Sequence, residues 1–164
     1  MSAIYQLDFS SPLSTAVYAC LTIMFYMAAQ FGEFTIPNLQ AFNLNVHPSQ
    51  SGVHIDTDCN RLTSTIFKLL CTKSLPLGEE VSWSTQNGPL DPATTWQLHL
   101  QICCYPSHNN HIVSYKWTQG KKSGINPLTR STFLTTINKS MCAASIKLPP
   151  SHGIHIGTTL EYLL

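Results

Sequence analysis

A chain of 164 residues has the length of a single domain of ordinary size, long enough to bury a core without disulfides or a structural metal. Nine Lys and Arg against eight Asp and Glu make up only 10% of it, where about 25% is typical, and the net charge of +1 speaks against a strongly basic nucleic-acid arm or an acidic solvating tail. At 43% apolar residues the composition is not that of a disordered chain, but so few charges leave solubility weakly supported.

Residues 1–11 carry no Lys or Arg ahead of the apolar stretch and no small-residue cleavage site after it, so no secretory signal is expected. Six cysteines, at 20, 59, 71, 103, 104 and 142, form no Cys-x-x-Cys pair and no even framework, and read as reduced thiols of an intracellular protein, nuclear or cytoplasmic. Ser10-Ser11-Pro12 opens a first helix that the pattern carries to about Gln30 and Gly32. Its uncharged core, residues 13–31, is long enough to span a bilayer. Ser14, Thr15, Thr22 and Gln30, and the lack of basic flanks, favour a buried core helix and no membrane.

Pro37 bars continuation and residues 41–52 read as a loop. Strand-like runs follow at 53–57, 63–70 and 80–85, the last two joined by a Pro- and Gly-containing turn at 72–78, which predicts a small antiparallel sheet. Residues 92–103 fit a helix capped by Asp91. The stretch 105–126, with Pro106, Asn109, Asn110, Gly120 and Gly124, reads as loop, and 128–144 as a helix through Leu128, Phe133, Leu134, Ile137 and Met141. After Pro149-Pro150 a further helix is expected over 154–164. That run ends on Leu160, Tyr162, Leu163 and Leu164 with no C-cap, from which the expectation is a fold that continues beyond residue 164 in a chain cut short.

Cys103, Cys104, His108 and His111 place four potential metal ligands within nine residues, but their spacing matches no common zinc pattern, and no local Cys-His nucleophile signature accompanies them. Neither a metal nor a cofactor is expected. Three short blocks carry more. They are Ala28-Ala29-Gln30-Phe31-Gly32-Glu33-Phe34-Thr35, the turn from Leu70 through Lys73 to Val81, and Ser151-His152-Gly153-Ile154-His155 with the residues after it. With Gln86-Asn87-Gly88-Pro89 and Pro127-Leu128-Thr129 between them, they resemble in order the catalytic domain of the tyrosine recombinases, in the version found in fungal mobile elements.

The resemblance implies an α+β fold, mainly helical, with a small three-stranded antiparallel sheet and its C-terminal helices missing. Residues 1–164 would form one partial catalytic domain. In that family a Tyr hydroxyl attacks a DNA phosphodiester, two Arg clamp the phosphate, a hairpin Lys donates a proton and a His in a His-x-x-Arg box assists. Such chemistry needs cations around the non-bridging oxygens and a donor for the leaving hydroxyl. Carried onto this sequence, the Lys falls on Lys73, the box His on His152 and the supporting carboxylate on Glu33, all retained. The first Arg falls on Gln30 and the second on His155, so both clamps are replaced, and Tyr162 stands too close to the box to be the nucleophile.

Losing one positioned transition-state donor costs roughly two to three orders of magnitude in rate. The expectation is therefore a degenerate recombinase-like pseudoenzyme of DNA integration and recombination, catalytically inactive and holding double-stranded DNA weakly. Its basic residues cluster only modestly, at Lys116, Lys121 and Lys122 with Arg130 further on. The alternative is a non-catalytic interaction domain that associates with itself or a partner through exposed apolar surface.

Overall fold

The computed structural model describes residues 7–72, 75, 77–86, 88, 90–103 and 107–145. Helix α1, Pro12–Tyr26, starts with Pro in its first turn, where the missing N–H is not needed. It is the central element of the core: Ala16, Val17, Ala19, Cys20 and Ile23 are wholly buried. Burial pushes the Cys20 thiol well above its ordinary pKa, so it stays a neutral thiol with its sulfur 3.9 Å from the Phe34 carbonyl. Among the described residues no helix is long and apolar enough to cross a membrane.

The first helix ends earlier than its composition suggests. Ala28 takes a left-handed conformation, φ 51°, and the Ala29 N–H reaches back to the Met24 carbonyl at 3.1 Å, closing the last turn. A four-residue helix α2, Phe31–Phe34, follows as a separate element. The apolar run from 13 to 31 is thus bent rather than continuous.

Strands β1, Val53–Thr57, β2, Thr63–Leu69, and β3, Glu79–Ser84, form an antiparallel sheet in that order, paired Val53 to Phe67 and Phe67 to Val81. The predicted sheet is present, with strand ends shifted by about one residue. Phe67 is its apolar anchor, stacked on Trp83 at 4.6 Å and edge-on to Phe34 at 6.0 Å and Trp96 at 5.5 Å. Gly78, at φ 83°, closes the approach to β3 where a Cβ would run into the backbone carbonyls of Leu69 and Leu70. Gly78→Ala is expected to destabilise the fold by more than about 1 kcal/mol, read as a lowered melting temperature; an unchanged melt would refute the crowding.

Helix α3, Pro92–Cys103, is capped by Asp91 as expected. Burial raises the pKa of that carboxyl, but the Gln86, Thr94 and Ala93 N–H groups and the Thr94 hydroxyl outweigh it and hold the group below its ordinary value. α3 packs on α1, and the pair shares a buried 2.6 Å hydrogen bond between the Thr22 and Thr95 hydroxyls.

Residues expected to be loop contain a two-stranded antiparallel ribbon instead, β4, Ser114–Gln119, and β5, Lys122–Pro127. Gly120, at φ 60°, and Lys121 make its two-residue turn, so a glycine that reads as loop in sequence makes a hairpin turn here. The second glycine, Gly124, seats the Trp117 indole, whose Nε1 lies 2.9 Å from where a Cβ would be. Helix α4, Arg130–Ala143, then starts two residues later than expected because Thr129 caps it, accepting from the Thr132 N–H. Among the described residues helix outweighs strand, but five strands stand beside the helices, so the fold is an α+β mixture and the expectation of a mainly helical one is not confirmed. The helix expected at 154–164 lies outside the described residues.

Candidate nucleic-acid interface

The early end of α1 decides where Gln30 stands. It is exposed and sits at the N-terminus of α2, where its N–H donates to Glu33 Oε2 at 2.7 Å and its carbonyl accepts from the Glu33 N–H at 3.0 Å. Gln30 and Glu33 therefore close a short helical turn rather than forming the polar end of the first helix. Phe31 and Phe34 hold that turn, Phe31 edge-on to Phe133 of α4 at 4.9 Å and Phe34 against Phe67 of β2.

Just beyond α2 the chain is stitched to the far end of the sequence. The Ile36 N–H donates to the Leu128 carbonyl at 3.1 Å, and the Ile36 carbonyl accepts from the Arg130 N–H at 2.9 Å. This places the Arg130 guanidinium over the Phe31 ring, 5.5 Å from its centroid, next to the Gln30 turn. In the sequence Arg130 stands only as an outlier of the lysine cluster. Its neighbour on α2 stands about a hundred residues earlier, and no local pattern shows that.

Of the residues singled out in the sequence, Gln30 and Glu33 are brought together on α2. Position 73 belongs to the β2–β3 connection, and Lys73 lies outside the described residues, as do His152 and His155. The potential metal ligands diverge. Cys103 Sγ lies 3.5 Å from His99 Nδ1 and 3.8 Å from the Pro12 carbonyl, whereas His111 Nδ1 meets the backbone of Val113 at 3.1 and 3.3 Å. Burial brings His99 down to about 3 and His111 to about 4, the latter helped by nearby His47, so both rings are neutral at ordinary pH.

Charge is partitioned along the chain in a way the net value of +1 hides. Residues 1–91 hold seven carboxylates against three cations, while residues 92–160 hold six cations and no carboxylate. The three-stranded sheet follows the first half: Asp56 stands on β1, Glu79 and Glu80 on β3, and Lys68 on β2 lies directly across from Glu80. The ribbon and α4 follow the second, with Lys116, Lys121, Lys122, Arg130 and Lys139 all exposed. Counting charge by halves would have shown this without a structure.

An apolar cleft also opens between the β1–β2 edge and α3, lined by Val53, Ile55, Thr65, Trp96, Leu100 and His108 among others, with a volume of about 720 Å³. No protein-family profile matches the chain, and no curated protein matches it. Among solved structures it is similar to "FLP Recombinase-Holliday Junction Complex I", with a TM-score of 0.57 at 13% identity, over 97% of this chain and 37% of that one. The chain spans well under half the length of that recombinase, and what the likeness shows is a shared fold.

Proposed function

We propose that this chain is a DNA-binding protein of the DNA breaking–rejoining class, of the fungal mobile-element type, that has lost strand cleavage. The observation that carries this reading is the fold likeness over 97% of the chain to a recombinase in complex with a Holliday junction. Loss of cleavage rests on the two replaced clamp positions. Gln30 is neutral and its backbone is engaged with Glu33, so it offers a phosphate no charge. His155 lacks the permanent charge and the planar fork with which Arg bonds two oxygens at once. Losing one such donor already costs roughly two to three orders of magnitude in rate, and both are replaced here.

A nicked duplex that traps covalent protein–DNA adducts tests the reading. The expected result is salt-sensitive, non-specific retention of the duplex and no adduct. A wild-type adduct, or tight sequence-selective binding, refutes it. A second reading, association through apolar surface, is favoured by Ile55 on the edge strand β1, 70% exposed, and by Leu62 and Leu77, 62% and 98% exposed. Sedimentation of the purified chain distinguishes the two, since a monodisperse monomer removes the second.

A further inference from the structure

We propose that the β4–β5 ribbon is a phosphate-contacting arm that enters a groove of duplex nucleic acid. This rests on the DNA-binding reading and adds to it the surface that makes contact. The ribbon and its turn carry Lys116, Lys121 and Lys122 and no Asp or Glu. All three lysines are exposed.

Their placement follows from the register. In an antiparallel pair, directly opposed residues share a face. Lys116 opposes Ile125 and so stands on one face, whereas Lys122 opposes Gln119 and stands on the other, with Lys121 at the tip. Lys122 and Ile125 are three positions apart, which at about 3.4 Å per residue puts the two lysines, on their opposite faces, about 10 Å apart along the ribbon.

A duplex groove has a phosphate strand on each wall, and the major groove, about 12 Å wide, admits a two-stranded β-ribbon. Cations on both faces of such a ribbon meet both walls. A flat anionic bilayer would instead favour cations on one face and an apolar tip, yet the tip here is Gln119, Gly120 and Lys121. The arm is also built to project. Its base is held where Tyr115 packs against the core and β4 meets α1, and Trp117 lies over Gly124 to brace the middle. The three-stranded sheet, with its carboxylates on β1 and β3, is the weaker candidate for a polyanion.

The test uses the full chain and a fluorescent duplex of mixed sequence, with anisotropy read across a salt titration. Lys116→Gln/Lys121→Gln/Lys122→Gln is compared with Arg61→Gln/Lys68→Gln, and thermal melts establish that both variants fold. The arm is supported if the triple variant loses roughly tenfold or more in affinity and its log–log salt slope shallows by about two to three, while the double variant keeps both. Wild-type affinity and slope in the triple variant would overturn the arm and leave DNA binding standing. Equal losses in the two variants would also overturn it, since net charge alone would then explain the effect. No duplex binding by the wild-type chain would overturn both readings, and so would lysine-dependent binding to phosphatidylserine vesicles without duplex binding.

Discussion

Phe67→Ala is expected to cost about 3–5 kcal/mol of unfolding free energy, the range for truncating a fully buried aromatic side chain. Domains of this size have about 5–15 kcal/mol in all, so the variant gives up roughly a fifth or more of the total. The effect is large because Phe67 is shared. Its ring touches Trp83 on the neighbouring strand, Trp96 on α3 and Phe34 on α2. Deleting it opens a cavity among three elements that cannot all close on it. Phe67→Leu keeps most of the volume and should cost markedly less. Equilibrium urea unfolding gives both values, and a loss below about 1 kcal/mol for Phe67→Ala would mean that the three aromatic contacts are not a common anchor. Since Phe34 belongs to the same turn as Gln30, the alanine variant should also quicken amide exchange at Gln30 and Glu33.

The second large effect is acid instability that begins well above the carboxylate range. His99 and His111 are buried and neutral, with pKa values of about 3 and 4 against 6.5 for a free ring. Above pH 6.5 the folded and unfolded chains bind the same protons at these rings, and the stability is complete. Below pH 6.5 the unfolded chain takes up protons that the fold refuses. Stability then falls until the folded rings themselves titrate, near pH 4 for His111 and near pH 3 for His99. Each ring contributes about 1.4 kcal/mol per pH unit, so the pair removes roughly 5 kcal/mol between pH 6.5 and 4.5. Urea midpoints measured across that interval should drop steeply, and His99→Leu should reduce the slope by about half. A flat profile would show that the rings take up protons without opening the core.

How much of this was legible from the sequence depended on whether the signal was local. The three-stranded sheet, α3 with its Asp91 cap and α4 were readable because each announces itself through alternation, a capping residue or helical spacing. The bend at Ala28 was not, since alanine gives no warning of a left-handed conformation and tertiary packing of Ala29 and Phe34 overrides its helix propensity. The β4–β5 ribbon was hidden for a related reason. Tyr115 and Trp117 alternate with Lys116 and Thr118, but in sequence Gly120 and Gly124 read as loop residues, whereas one makes the turn and the other seats the tryptophan.

In the candidate site, Gln30 and Glu33 could be singled out by their order within a resembling pattern, which says nothing of geometry. Their position at the start of a separate turn, and Arg130 beside it, depend on backbone hydrogen bonds across the chain. The ribbon lysines were visible as a cluster, whereas their distribution over two faces needed the register.

The Ile36 stitch to Leu128 and Arg130 also orders events during synthesis. Ile36 emerges from the ribosome more than ninety residues before its partners, and at roughly 5–20 residues per second it waits several seconds for them. Through that interval Phe34 and the turn it anchors can dock on β2, which is made soon after, but Phe31 has no Phe133 to lean on. The Gln30 turn should therefore become fully protease-resistant only once α4 has been made, even though it is among the first parts to be translated.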